Sequence, residues 1–343
     1  MAITIPLIRA ANLLPIVKWL EVNNQPVERN LKDADLDYWF NLAPHDPVPT
    51  INAVTFLRDA ARANGPDLGY RIVNEASISE LAYIGRVALG SRTPKEALAR
   101  VAAALPLHSS HEDIRLIDNG ETIVVRQVLT MKLDDESIHA VHVLFAALIQ
   151  QLCRFTGIRP PLFNRVEMQA HPVFGFSHLE DWLGDQVAQS MDGAINLHIS
   201  SGVANAPFRV IAKDRLPRLM AMGIPPLAED RSLAGSMRPA IAAMLHGGEP
   251  TIARLVQPSG MSIRSIQRRL AEEGTSFSTE LDKVRRSMAD KLLLQQDSSI
   301  SDIATRLGYS SHSALTRAIR RWTGTTPSWI KQNSPPEILA RKV

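Results

Sequence analysis

The stretch GMSIRSIQRRLAEEGTSF (residues 260–277) and the stretch GYSSHSALTRAIRRWTG (residues 308–324) follow one pattern. Each has a glycine, a serine shortly after it, and a run with apolar residues at helical spacing and arginines between them. A glycine that ends one short helix and a serine that caps the next make two helices joined by a tight turn. In the first copy a short helix over Thr251 to Val256 carries Ile252 and Val256, Pro258-Ser259-Gly260 stops it, and Ser262 caps the next helix. That helix turns Ile266 and Leu270 inward and leaves Arg264, Gln267 and Arg268 outward. In the second copy Ile303 and Leu307 close the first helix, Gly308 turns the chain and Ser310 is placed to cap. Leu315 and Ile319 then face inward, with His312, Ser313, Thr316 and Arg317 left for the outer face. A slide of 49 residues lays Ile266 on Leu315, Arg268 on Arg317 and Leu270 on Ile319. The glycines match at 48, so the second turn is one residue longer.

Between the copies, Ser276 is placed to cap a helix running from Phe277 to about Gln295. Its apolar residues Phe277, Leu281, Val284, Met288 and Leu292 fall at steps of four, three, four and four. At ~1.5 Å per residue such a helix is roughly 29 Å long, against about 34 Å between successive major-groove faces of DNA. One rod can therefore hold two helix-turn-helix units about one DNA turn apart. The outward residue types suit base reading: arginine offers a donor fork to guanine and glutamine pairs with adenine. Lys283, Arg285, Arg286, Arg306, Arg320, Arg321 and Lys331 suit phosphates, which position a protein without naming a sequence. Charge points the same way. From Arg231 onward there are 17 Lys+Arg against 9 Asp+Glu, a balance of +8; the totals of 38 and 35 leave 21 against 26, or −5, before it. A merely solvated basic bundle would account for one copy, but not for two copies, a linker of this length and this charge asymmetry.

The remaining chain reads as mixed α and β. A helix is expected over Pro6 to Val22. Thr93-Pro94-Lys95-Glu96 has the form of a capping box opening a helix with Leu98, Val101 and Leu105. Ile114 to Ile117, Asp118-Asn119-Gly120 and Glu121 to Leu133 read as strand, tight turn, strand. Ser137 to Phe155 returns to helix, and Val166 to Ala170 and Ala194 to Ser200 to short strands. After the break at Ile224-Pro225-Pro226 the pattern is helical throughout. The expected organisation is a sensing or dimerisation domain over 1–213, a linker over 214–230, a double helix-turn-helix domain over 231–335 and a tail over 336–343. The fold class is α+β for the first domain and all-α for the second.

Several function classes drop out. Cys153 is the only cysteine, which excludes an internal disulfide and a multi-cysteine metal site. The first residues lack the marks of a secretion signal, and no stretch carries 18 continuous apolar residues; a cytoplasmic location without a membrane partner is expected. No phosphate loop, dinucleotide fingerprint or nucleophile elbow is present. No catalytic residue, cofactor or metal is expected. Glu136, His139 and His142 hold a Glu-x-x-His spacing, but a bundle metal site needs a second such pair. His108-Ser-Ser-His111 reads as capping and solvation at a helix end, and Cys153 as a small buried hydrophobe.

The span RSMADKLLLQQDSSISDIATRLGYSSHSALTRAIRRWTGTTPSWIK (286–331) resembles the signature of the AraC/XylS family of bacterial transcription regulators, and the likeness extends over Met237 to Lys331. By that resemblance the base-facing positions fall on Arg264, Gln267 and Arg268 in the first reading helix and on His312, Ser313 and Arg317 in the second. Pro258 departs from the family pattern, which continues a helical residue there. The run from Pro66 to Ser110 is similar, more loosely, to the effector-sensing region of one branch of the family, with Leu68-Gly69, Gly85 and Thr93-Pro94 in the matching places. The resemblance implies a non-enzymatic regulator of transcription, activator or repressor. Its implied partners are double-stranded DNA, RNA polymerase, a small organic effector of unidentified structure and a second copy in a homodimer. Two other readings remain open at this point: a constitutive DNA binder whose N-terminal domain only dimerises, and an N-terminal enzyme tethered to DNA.

Overall fold

The computed structural model describes residues 4–209, 224, 226–228, 230–256, 261–294 and 298–333. Its contacts divide the chain into two units. Pro6–Asp37 and Ala43–Leu227 form one; Tyr38–Leu42 and the chain from Ala228 onward, with the first few residues, form the other.

The first unit is organised by a hairpin. Strand β3 (Glu112–Asp118) meets strand β4 (Thr122–Leu129) antiparallel, Asp118 opposite Ile123. The turn closes because Asn119 N donates to Thr122 O at 3.0 Å and Gly120 N to the Asp118 carboxylate at 2.9 Å. Strands β1 (Leu7–Arg9) and β2 (Pro47–Pro49) pair separately. Strands β5 (Arg165–Met168), β6 (Val187–Gln189) and β7 (Ile195–Ser200) complete a five-stranded sheet of order β3-β4-β7-β5-β6, antiparallel except between β5 and β6. Alternation in β7 puts Ile195, Leu197 and Ile199 inside.

Helix α1 covers Leu14–Val22, α2 Thr50–Asn64, α3 Ala82–Leu89, α4 Pro94–Ala104 and α5 Asp135–Arg154. The Thr93 hydroxyl accepts from Glu96 N at 3.2 Å, and the Glu96 carboxylate reaches back to Arg92 N at 2.9 Å, one residue before the cap. Helix α5 is capped by Asp134, which accepts from Ser137 N at 2.9 Å, so it begins ahead of the expected Ser137. Its Val143, Phe145, Ile149 and Leu152 pack with Ile123, Val125, Leu197 and Ile199 into one core. Among the described residues α5 is also the one helix long and apolar enough to cross a membrane, and most of it is buried against this core. Gly85 in α3 lies so close to the carbonyl of Ile78 that a Cβ would fall 1.8 Å from its oxygen, which restricts the position to glycine.

Two local expectations are corrected, and one strand is added. Pro6 to Val22 is not one helix: Leu7–Arg9 pairs as a strand with Pro47–Pro49, a 3-10 turn follows, and only Leu14–Val22 is α-helical. Adjacent Leu7 and Ile8 are both buried, which a helical face and a fully enclosed strand satisfy equally. Strand β6 carries only partly buried and exposed residues, so no pattern announced it. The strand expected to run to Leu133 ends at Leu129.

The second unit is all helical among its described residues: α6 (Leu233–Leu245), α7 (Ile252–Val256), α8 (Ile263–Glu272), α9 (Phe277–Leu294), α10 (Ile300–Arg306), α11 (His312–Thr323) and α12 (Pro327–Asn333).

Candidate functional site

In the first of the paired-helix units Ser262 accepts from Ser265 N at 3.1 Å and so caps α8. Ile266 and Leu270 are fully buried, while Arg264, Gln267 and Arg268 stand exposed on the other side. The residues expected to form its turn, Pro258-Ser259-Gly260, lie outside the described residues. Arg268 lies 3.8 Å from Glu272 and is 78% exposed, so its guanidinium is available to a partner. Glu273 closes the other end of the unit: its carboxylate accepts from Leu233 N and Ala234 N, both at 3.0 Å, fixing the start of α6 against the end of α8.

The second unit repeats the construction. Ser299 and Asp302 form a reciprocal capping box at the start of α10. Gly308 takes φ +67° to turn the chain. The cap of α11 is Ser311, whose hydroxyl accepts from Ala314 N at 3.2 Å, and not the expected Ser310. Two serines follow the glycine in sequence, and the register of the turn decides between them. Leu315 and Ile319 are buried; His312, Ser313 and Arg317 are exposed, and Thr316 is half-buried with its hydroxyl donating to the His312 carbonyl at 3.0 Å.

Helix α9 joins the two. Its 18 residues span about 27 Å at ~1.5 Å each; the expected last residue, Gln295, lies outside the described residues. Ser276 caps it through Thr279 N at 3.2 Å. Near its end Ala289 and Leu293 enter the core of Ile303, Leu307, Leu315 and Ile319, with Met288 and Leu292 only partly covered. Near its start Glu280 is fully buried and accepts from Arg238 of α6 at 2.6 Å, from Thr275 at 2.5 Å and from Lys283 at 2.7 Å. Burial by itself would raise the Glu280 carboxyl, but the hydrogen bonds from Lys283, Thr275 and Arg238 outweigh it and hold the group below its ordinary value.

The seven cations expected to meet phosphate divide into two groups. Arg286, Arg306 and Arg320 are exposed. Four others have partners within the unit. Arg285 donates to the carbonyls of Leu307 and Gly308 at 2.9 and 3.1 Å and lies 4.6 Å over the Tyr309 ring, so it clasps the second turn. Arg321 pairs with Asp282 at 2.7 Å, Lys283 with Glu280, and Lys331 donates to the Ser298 carbonyl. Sequence reasoning had no means to set Arg285 apart, because its partners are backbone carbonyls more than 20 residues away.

The first unit holds a partly open cavity of about 150 Å³ between α2–α5 and the β3–β4 hairpin. Ile16, Leu57, Ile84, Leu98, Phe145 and Leu148 are representative of its apolar wall. Two pairs of polar side chains interrupt that wall. His108 Nε2 lies 3.4 Å from the Asn12 side-chain oxygen, and the Gln127 amide donates to the half-buried Glu112 carboxyl. Burial drives the His108 imidazole down to about 3, helped by the nearby Arg9 charge, so the ring is neutral. The His108–His111 stretch is therefore not a solvated helix end: His108 and Ser109 are buried against this cavity.

His139 and His142 are also buried. His139 Nδ1 meets the Gln169 carbonyl at 2.7 Å and its Nε2 the His178 ring at 2.8 Å, while His142 accepts from Gln169 N at 3.1 Å. Burial lowers His139 to about 4 and His142 to about 3. The described residues contain no group of three or more ligands arranged for a metal. Cys153 is fully buried and its thiol is pushed up to about 12 by burial.

Two capped helix pairs on one linker helix, in a chain that also carries an α/β domain with an internal cavity, define a two-headed helix-turn-helix protein. Comparison with known proteins agrees. The family described as "Helix-turn-helix domain" matches residues 255–333, and the family described as "Arabinose-binding domain of AraC transcription regulator, N-term" matches residues 27–191. The chain thus carries the two domains of the AraC family, an arabinose-binding-like N-terminal domain and a helix-turn-helix domain. It is similar to an uncharacterised HTH-type transcriptional regulator of Mycobacterium tuberculosis, 39% identical over 79 residues, 23% of each chain. It is also similar to the HTH-type transcriptional regulator VirS of the same species, 36% identical over 101 residues, 29% of this chain and 30% of VirS. The matched stretches thus span less than a third of those relatives. The crystal structure of the transcriptional regulator CdpR from Pseudomonas aeruginosa aligns over 94% of this chain and 98% of that one, at 20% identity and a TM-score of 0.42.

Proposed function

We propose that the protein regulates transcription by reading two successive major-groove segments of one DNA site, α8 in the first and α11 in the second. The observation that carries this reading is the pair of exposed faces, Arg264/Gln267/Arg268 and His312/Ser313/Arg317, held at the two ends of one 18-residue helix. Each reading helix is buried on one side only and capped at the end that enters a groove. Arg286, Arg306 and Arg320 supply phosphate contacts; Arg285 supports the second turn instead. DNA reading belongs to residues 231–335, and effector sensing or dimerisation to residues 1–213, with RNA polymerase and a second copy as partners and the cytoplasm as location. The assignment is non-enzymatic because the reading is that of a transcription regulator.

The cavity of the first unit is the seat of the effector in this reading. A tenfold change in DNA affinity requires about 1.4 kcal/mol of coupling, and DNA must then tighten effector binding by the same factor. The reading of the two heads is tested by footprinting on a selected operator. Arg268→Ala and Arg317→Ala should each relax base preference at positions about one DNA turn apart, at roughly 1–3 kcal/mol if the contact is bidentate. Loss of preference at one and the same position in both variants defeats the two-head geometry.

A further inference from the structure

We infer that the cavity of the N-terminal unit takes a small uncharged molecule, an aliphatic or aromatic body with one hydrogen-donating head such as a hydroxyl or amide, and not a sugar or a carboxylate. This rests on the reading of the cavity as the effector site and specifies the chemistry of the molecule held there.

Size comes first. An apolar cavity of about 150 Å³ is known to hold a guest the size of benzene; this one has that volume and is partly open, so it suits a body of at least roughly six to eight heavy atoms. The wall is the second argument. Most of its lining is aliphatic, and it includes no lysine or arginine. A carboxylate would be desolvated there with no cation in the lining and with Glu112 as a neighbour. A pentose would carry four hydroxyls against a wall interrupted by two polar pairs, leaving most of its donors against Leu, Ile and Phe.

The head is specified by what those pairs leave unmet. Gln127 is 2% exposed, its amide nitrogen gives one N–H to Glu112, and its side-chain oxygen has no partner. His108 is neutral; with Nε2 facing the Asn12 oxygen, the proton sits on Nε2, and Nδ1 is left without a partner. Both vacant atoms are acceptors. The Thr50 hydroxyl, also in the lining and also unpartnered, can give or take. Buried acceptors without donors are costly, and a ligand hydroxyl or amide N–H relieves that cost. A cation would donate as well, but it would be desolvated against the same aliphatic wall.

The test uses the full-length protein and calorimetric titration with 1-butanol through 1-heptanol, hexanoate, hexylamine and L-arabinose, with DNA affinity measured in parallel. The alcohols should bind, about fourfold tighter per added methylene, until the cavity is full. Hexanoate, hexylamine and arabinose should bind at least tenfold more weakly than 1-hexanol. Gln127→Leu should weaken 1-hexanol several-fold, and Val141→Phe, which fills the wall, should abolish binding. If neither variant folds, the ranking of the probes on the native protein decides alone. Arabinose, hexanoate or hexylamine binding better than 1-hexanol overturns the inference, as does no binding by any alcohol. Alcohol binding that leaves DNA affinity unchanged supports the cavity chemistry and sinks the effector reading; a charged or sugar probe that changes DNA affinity does the reverse.

Discussion

Replacing Glu280 by alanine probes the joint on which the two-headed arrangement depends. The carboxylate is fully buried and ties α9 to Arg238 of α6 through a 2.6 Å contact, with Thr275 and Lys283 completing its shell. Breaking a buried ion pair from one side typically costs 3–5 kcal/mol. Here the cost is lower, because Arg238 and Lys283 are 23% and 52% exposed and recover solvent when the carboxylate goes. The expected loss is about 2–4 kcal/mol for Glu280→Ala, whereas Lys283→Ala, which removes only the exposed partner, should cost about 1 kcal/mol or less. Urea unfolding of the full chain, followed on the transition of the C-terminal unit, supplies the values. A double-mutant cycle with Arg238→Ala should return a coupling of roughly 1–3 kcal/mol. The carboxyl is held below its ordinary value in the folded state, so its contribution is complete above the unfolded value near 4.5 and is lost as pH falls through the folded one. Additive single mutants, or a cost for Glu280→Ala below about 1 kcal/mol, would refute the reasoning.

Arg285→Ala should destabilise the second helix-turn-helix by about 1–3 kcal/mol in the absence of DNA, since Leu307 and Gly308 lose a charged donor; an unchanged melting transition would return Arg285 to the phosphate-binding group. The N-terminal unit should lose stability in mild acid. His108, His139 and His142 have folded values near 3, 4 and 3 against an ordinary 6.5, so the unfolded chain binds the extra protons. Stability should be level above about pH 6.5 and fall below it by about 1.4 kcal/mol per pH unit for each histidine until the folded values are reached; a flat profile between pH 4 and 6 contradicts their burial. DNA affinity should fall linearly with salt on logarithmic axes, with a slope of about −0.9 per phosphate contacted, and Arg320→Ala should reduce that slope by about one contact while weakening all sequences alike; a salt-independent affinity removes the electrostatic argument.

The helix-turn-helix pairs were legible in the sequence because every signal in them is local. Ser262 caps α8 within three residues, Ile266 and Leu270 repeat at helical spacing, and Gly308 supplies the one backbone conformation its turn needs. The same holds for the Asn119-Gly120 hairpin and for Thr93 at the start of α4. Once one face of a short helix is apolar, the opposite face is exposed by geometry, and this is why the six residues expected to meet bases stand in solvent.

The tertiary structure decided whatever depended on residues far apart in the chain. Whether Leu7–Arg9 was strand or helix turned on the arrival of Pro47–Pro49. Whether Arg285 was a free cation turned on the carbonyls that end α10, and the fate of Glu280 turned on a helix 42 residues earlier. The cavity is the extreme case. His108, Glu112 and Gln127 carry no shared spacing, and only the closing of α2–α5 over the hairpin gathers them in one apolar wall and leaves two acceptors without donors. Periodicity and capping are short-range constraints and can be read along the chain; burial, pairing and the volume left between packed elements are sums over distant segments, and exist only once the chain has folded.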